Sequence, residues 1–226
     1  MLGGMSAEST AIYYKLFNDE VRRRLGGLHS AELLIRSIDF APVAAMQAEG
    51  QWEDAGALLA RHALSLERAG AGLIVLATNT MHKIVGHITA AVSVPVVHIA
   101  DATARALVAQ GHRRPGLMAT RFTMEDDFYI GRLREGFGLA PIVPDAADRA
   151  LTHAIIYDEL CQGIVRDTSR KTYEGIARRI ADAGADSLIL GCTEVGLLLD
   201  AGNVPVPVFD TVALHVQAAL DLAMSP

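Results

Sequence analysis

The sequence predicts an α/β protein made of two similar halves, each a parallel sheet with flanking helices. Three observations carry this expectation: helical and apolar strand-like stretches alternate, the pattern repeats internally, and each strand gives way to a polar tip. The stretch Ala69-Gly70-Ala71-Gly72-Leu73-Ile74-Val75-Leu76-Ala77-Thr78 is echoed by Ala183-Gly184-Ala185-Asp186-Ser187-Leu188-Ile189-Leu190-Gly191-Cys192 at a constant offset (69 to 183, 78 to 192). Val94-Pro95-Val96-Val97 likewise returns as Val206-Pro207-Val208-Phe209.

Met1-Leu2-Gly3-Gly4-Met5-Ser6 reads as the end of a strand followed by a glycine turn. Ile12, Leu16, Val21 and Leu25 fall at helical spacing, so 7–25 is a helix, ended by Gly26-Gly27. Residues 31–38 alternate weakly and predict a strand, with helices after it at 42–49 and 53–69. The run 72–77 is continuously apolar, as in a parallel strand covered on both faces. A helix over 80–91 leads to the strand 94–98. The second half repeats the plan: helix 101–110, strand 116–119, helix 124–137 and a strand near 139–143. Helices 145–162 and 168–183 lead to strands 187–191 and 206–209, and helix 210–223 closes the chain. The expected division is therefore 1–98 plus 207–226 as a first lobe and 99–206 as a second. In such sheets ligands bind beyond the carboxyl ends of the strands, where the polar tips lie.

Composition narrows the function. Half of the 226 residues are hydrophobic, enough for ample core. No apolar run approaches the ~20 residues needed to cross a bilayer, and no secretion signal opens the chain. The net charge is −6, with no basic block, which argues against nucleic acid. Cys161 and Cys192 offer neither a disulfide framework nor metal-ligand spacing, and free thiols suit the reducing cytosol. The absence of G-x-G-x-x-G and P-loop patterns disfavours dinucleotides and nucleoside triphosphates. A cytoplasmic location is the expectation, with no metal, no nucleic acid and no membrane partner.

The tips carry the chemistry. Thr78-Asn79-Thr80 reads as a helix cap, since these side chains accept backbone N–H bonds, or as an anion seat at a helix N-terminus. Cys192 follows a glycine at a strand end and opens a helix, a position expected to lower its pKa from ~8.5 toward neutrality. Its bland alternative is a small buried hydrophobe, which is also the reading for Cys161 inside an apparent helix. Gly4 and Met5 put backbone N–H groups where a carboxylate could approach. Thr120, Arg121 and Thr123 form the equivalent tip in the second half; Arg121 either grips a carboxylate bidentately or is solvated. Arg36 and Ser37 end the predicted strand 31–38 and are further candidates. His82, two residues past Thr80, reads as a structural hydrogen bond or a catalytic group. Trp52, Tyr129 and Tyr157 give no decisive signal.

Leu2-Gly3-Gly4-Met5-Ser6, Thr78-Asn79-Thr80-Met81-His82 and Gly191-Cys192-Thr193-Glu194 together resemble the aspartate/glutamate racemase family over nearly the whole chain. The resemblance implies two Rossmann-like lobes related by a pseudo-twofold, a homodimer, no cofactor, and an active site in the interlobe cleft. It implies a small dicarboxylic amino acid as substrate and two cysteines on opposite faces of its α-carbon. It also implies that Gly4, Met5, Ser37, Asn79, Thr80, Thr120, Arg121, Thr123, Thr193 and Glu194 bind substrate. Here the leading family cysteine is replaced by Thr78, leaving a Thr78/Cys192 pair that resembles the subgroup acting on L-aspartate or L-glutamate. A basic residue that some members use for the distal carboxylate falls at Cys161, leaving Arg36 and Arg121 as substitutes. The family's first strand is longer than Met1-Leu2, so either the start is truncated or this sheet edge is unusual.

A threonine hydroxyl stays protonated near neutral pH, so Thr78 would donate a proton or orient water, and Cys192 would be the base. Backbone and hydroxyl donors around Asn79, Thr80 and Thr193 would stabilise the carbanion. Two other readings stay open: a single-cysteine decarboxylase or isomerase resembling arylmalonate decarboxylases, and an amino-acid-binding relative without full catalytic power.

Overall fold

The first strand, β1 (Leu2–Gly3), is followed at once by a glycine that no other residue replaces easily. Gly4 has φ of +94°, and a Cβ there would lie 2.1 Å from the Ile38 carbonyl oxygen. Its N–H donates to Thr10 Oγ1 at 2.7 Å. Helix α1 (Ala7–Leu25) then starts on Ser6, whose hydroxyl accepts from Ser9 N–H, and stops at Gly26 with φ of 75°. Tyr13, Phe17 and Val21 recur at every fourth residue and bury its inner face.

The computed structural model describes residues 1–225. Its elements continue with β2 (Arg36–Ser37), α2 (Phe40–Glu49), α3 (Trp52–Arg68), β3 (Ile74–Val75), α4 (Val85–Ala91) and β4 (Val96–Val97). The second half runs α5 (Ile99–Ala109), β5 (Pro115–Met118), α6 (Arg121–Glu125), α7 (Asp127–Phe137), α8 (Ala146–Asp158) and α9 (Asp167–Asp182). It ends with β6 (Ser187–Leu190), β7 (Val208–Asp210) and α10 (Thr211–Ala223). Short 3-10 helices occupy Thr80–Ile84, Leu160–Gln162 and Thr193–Leu197.

All strand pairs among the described residues are parallel, as continuous apolar runs require. In the first half β1 pairs with β2, and a bridge Leu2↔Leu76 joins β1 to the strand that pairs with β4. In the second half a bridge Gly116↔Ile142 extends the order β5-β6-β7. Each half thus orders its strands second, first, third, fourth. Contacts gather the chain into two units, Met1–His98 with His215–Pro226, and Ile99–Leu214. The expected return to the first unit was at 207; pairing of Leu188 with Val208 keeps β7, and the chain through Leu214, with the second.

Several expected strands shrink, each for a visible reason. Of 31–38 only Arg36–Ser37 is strand, because only these residues face β1 (Leu2↔Arg36, Gly3↔Ser37). The strand near 139–143 is a single bridge at Ile142, between Pro141 and Pro144, which have no N–H to donate to a ladder. The helix expected over 80–91 begins as a 3-10 turn, 124–137 breaks at Asp126, and 145–162 ends at Asp158. No helix among the described residues is long and apolar enough to cross a membrane.

Aliphatic cores fill both units. Leu2, Val43, Leu59, Ile74, Leu76, Met81 and Ile88 pack in the first. Behind them lies a polar inclusion: His215, fully buried, takes a hydrogen bond from Tyr13 OH at Nδ1 (2.8 Å) and donates from Nε2 to Val97 O (2.9 Å). A carbonyl only accepts, so Nε2 carries the proton and Nδ1 is the acceptor. Burial, then the neighbouring His82 charge, depresses the His215 pKa from 6.5 to about 3.

Two outcomes are expected. Gly4→Ala should destabilise by about 1–3 kcal/mol or more, seen as a lower urea midpoint, since both φ and space exclude a Cβ. His215 stays neutral when folded but binds a proton when unfolded, so its contribution is intact above pH 6.5 and is lost as pH falls toward 3. Denaturant titrations should show the wild type losing about 5 kcal/mol more than His215→Asn across that window, at about 1.4 kcal/mol per pKa unit. Parallel pH profiles for the two proteins would contradict this assignment.

Candidate active site

In the first unit, strand pairing brings two tips together. Ala77 N–H donates to Leu2 O at 2.9 Å and Ser9 Oγ donates to Ala77 O at 3.1 Å, so Thr78-Asn79-Thr80 lies beside Gly4-Met5. All five residues are buried, Thr78 with 8% of its surface exposed. The chain turns into a 3-10 helix immediately, so His82 N–H bonds Asn79 O (3.1 Å) instead of Thr78 O. The His82 ring takes over that carbonyl: Nδ1 donates to Thr78 O at 2.8 Å. Ser37 is exposed on β2, and Arg36 spends its Nε on His62 Nδ1 at 3.3 Å.

In the second unit the tips of β5 and β6 are neighbours. Gly191 N–H donates to Met118 O at 2.8 Å, and a Cβ at Gly191 would lie 2.7 Å from Leu117 and 2.8 Å from Ala119. Thr120 caps α6: its Oγ1 accepts from Thr123 N–H at 3.4 Å, and the two hydroxyls are 3.2 Å apart. Arg121 is exposed, with its guanidinium 5.4 Å from the Phe122 ring centre and its N–H on His153 Nδ1 at 3.3 Å. Burial, and then the Arg121 charge, hold the His153 pKa below its ordinary value.

The sulfur environment departs from expectation. Cys192 Sγ donates to Glu194 Oε2 at 2.8 Å, and Cys161 Sγ donates to Glu194 Oε1 at 3.7 Å. Glu194 is 2% exposed. The thiol of Cys192 is pushed well above its ordinary value, first by burial and then by the Glu194 charge, with Cys161 adding to it. The helix it opens is a five-residue 3-10 turn, too short to supply a dipole that outweighs an adjacent carboxylate. The expected depression of the Cys192 pKa is therefore corrected to an elevation.

Cys161 is corrected as well. It lies beyond the end of α8, in a 3-10 turn, and shares a carboxylate with Cys192 instead of only filling space in a helix. Burial, with Glu194 next, raises its thiol pKa too. Tyr157 belongs to the same cluster: after burial, the charges of Cys192, Cys161 and Glu194 raise its phenol pKa and Arg121 opposes them. Its ring lies 4.6 Å from that of His153. Sequence reasoning gave Cys161 and Tyr157 no functional part because Cys161 meets Glu194 only through the packing of the segment after α8. The one available signal was their one-turn spacing.

The segment beyond Cys192 is clamped. Arg170 on α9 donates to Leu198 O at 2.7 Å and to Leu197 O at 3.3 Å, and Asn203 Nδ2 reaches the same Leu198 O at 2.8 Å. Asp210, at the end of β7, accepts from Val212 and Ala213 N–H, and its carboxyl pKa is raised by burial. Among the described residues no group of three or more His, Cys, Asp and Glu is placed to hold a metal.

Comparison with known proteins gives the fold and the family. The structure is similar to that of a candidate Asp/Glu racemase from Yersinia pestis, 48% identical, with a TM-score of 0.91 over 99% of this chain and 97% of that one. An aspartate racemase homologue from Pyrococcus horikoshii OT3 is 35% identical, with a TM-score of 0.84 and coverage of 99% and 97%. A glutamate racemase of Treponema pallidum (strain Nichols) is 30% identical over 125 residues, 54% of this chain; the match spans 44% of that protein, under half its length. The Asp/Glu/Hydantoin racemase family matches residues 2–219. With one family pattern running through both repeats and all three motif-bearing tips, the chain belongs to the Asp/Glu/Hydantoin racemase family.

Proposed function

We propose that the protein is a cofactor-independent amino-acid racemase acting on aspartate or glutamate, with Cys192 and Thr78 as its two proton-handling groups. The observation that carries this reading is the 2.8 Å contact between the Cys192 thiol and the buried Glu194 carboxylate. A thiol with a raised pKa rests protonated, which makes it a ready donor but a poor base on its own. Glu194 supplies what the thiol lacks. When the Cα–H bond breaks on the Cys192 side, sulfur takes the α-proton as its own proton passes to Glu194 Oε2. In the reverse direction Cys192 protonates the carbanion and regains a proton from Glu194. Thr78 gives or receives the second proton, through its hydroxyl or an oriented water.

Racemisation links states of equal free energy, so kcat/KM must be the same in the two directions. An unequal Thr78/Cys192 pair changes kcat and KM separately. The exposed guanidinium of Arg121 is the group in the second unit best suited to a distal carboxylate. Family membership and the free thiols fit the rest of the proposal: a cytosolic homodimer of two lobes.

A second reading has its own support. A thiol held protonated is also what a decarboxylase needs to protonate an enediolate. Release of CO2 from a substituted malonate, with no exchange into aspartate or glutamate, would favour it.

Proton NMR of L- and D-aspartate and L- and D-glutamate in D2O is the direct test. Each product molecule is expected to carry deuterium at Cα, and Cys192→Ala is expected to abolish exchange; full activity in that variant would remove Cys192 from the mechanism. Glu194→Gln should lower racemisation about a hundredfold by removing the proton acceptor. Removing the carboxylate charge also lowers the Cys192 pKa, so alkylation of that thiol at fixed pH, followed by mass spectrometry, should speed up in the same variant. Slower alkylation would place Glu194 outside the thiol's electrostatics.

A further inference from the structure

We propose that His82 is a positioning residue for the Thr78 tip, holding it through the main-chain carbonyl of Thr78 while its ring packs against two further imidazoles. The inference rests on the racemase reading above and adds a residue to it.

The local backbone creates the vacancy that His82 fills. Because Thr80–Ile84 is a 3-10 helix, its i→i+3 bonding sends His82 N–H to Asn79 O, one residue short of Thr78. The Thr78 carbonyl is buried with the rest of its tip and needs a donor. The His82 ring supplies it from Nδ1 at 2.8 Å, which fixes a proton on that nitrogen because a carbonyl only accepts. The side chain of residue 78 is thereby attached to a carbonyl pinned from the same turn.

What stands behind the ring sets its angle. His98 lies 4.7 Å from His82 between ring centres, tilted by 56°, and His215 meets it edge-on at 5.7 Å and 67°. His215 cannot swing, since both of its nitrogens are committed, to Tyr13 OH and to Val97 O. Tyr13 itself sits on the buried face of α1 and meets the His215 ring edge-on at 5.8 Å. The chain of contacts therefore runs from a core helix, through an imidazole that stays neutral at working pH, to the ring that grips Thr78. His82 is 2% exposed, which keeps water from competing for the carbonyl.

A plain capping bond would support folding and nothing more. The two roles separate by variant and by readout. Asn places its amide nitrogen near the position of Nδ1, whereas Gln reaches toward Nε2 and Leu donates nothing. In D2O, solvent hydrogen enters substrate in two ways: with inversion, which needs both Thr78 and Cys192, and without inversion, by return from Cys192 alone. If His82 acts through Thr78, folded His82→Leu and His82→Gln should lose about a hundredfold in kcat for inversion. Exchange without inversion, in the enantiomer deprotonated by Cys192, should persist in both. His82→Asn should restore most of the inversion rate.

A folded His82→Leu that inverts substrate at the wild-type rate overturns the inference. So does an equal loss in Asn, Gln and Leu variants, or a parallel fall of both kinds of exchange. Should Leu fail to fold, the Asn-against-Gln contrast carries the same decision. Wild-type protein that exchanges no α-hydrogen overturns the racemase reading and this inference together, so the two failures are told apart.

Discussion

Parallel strands of two to four residues leave no slack, and register is the constraint on which the rest of this structure depends. A slip of one residue would turn every buried side chain of a strand to the opposite face and move its tip. Glycines enforce the register by close approach. Gly191 sits against Leu117 and Ala119, and Gly116 would bring a Cβ to 2.4 Å from Ile180. With β5 and β6 held that tightly, Thr120-Arg121 and Cys192-Glu194 emerge side by side. In the first unit the same logic sets Gly4-Met5 beside Thr78-Asn79-Thr80. The placement of these tips is thus a consequence of backbone spacing before any side chain is considered.

Much of the architecture was legible because buried parallel strands and amphipathic helices have strong patterns. The repeat between 69–78 and 183–192 announced two similar units, and α1 appears with the bounds its spacing implied. What was hidden follows from long-range pairing. Nothing local tells Arg36-Ser37 from the rest of 31–38; only the position of β1 does. Pro141 and Pro144 offered a warning about the strand between them, since each removes a donor. The 3-10 turns after both polar tips were read as ordinary helix, because hydrophobic spacing does not separate i→i+3 from i→i+4 bonding.

The site divides the same way. Thr78, Asn79, Thr80 and Cys192 were singled out by position, as residues following buried strands, and Thr193 and Glu194 by the family resemblance. Their electrostatics were not. A helix N-terminus and a nearby carboxylate push a thiol in opposite directions, and the sequence shows the first without the distance to the second. At 2.8 Å, the carboxylate and the desolvation beside it win over a single 3-10 turn. Thr120 and Thr123, in contrast, spend their hydroxyls on each other and on a cap, as their residue types allow.

The clamp on the far side of the sulfur has one more implication. Arg170 and Asn203 fasten the carbonyls of Leu197 and Leu198 to α9, so the stretch carrying Cys192 is tied down at both ends, by a strand before it and a guanidinium after it. Arg121, by contrast, is a solvent-facing side chain at the start of α6. Under the proposed function, reaction chemistry and side-chain recognition would therefore be mounted on separate fittings. On that reading, descendants of such a scaffold could exchange one acidic substrate for another by remodelling the exposed start of α6 while leaving the anchored sulfur undisturbed.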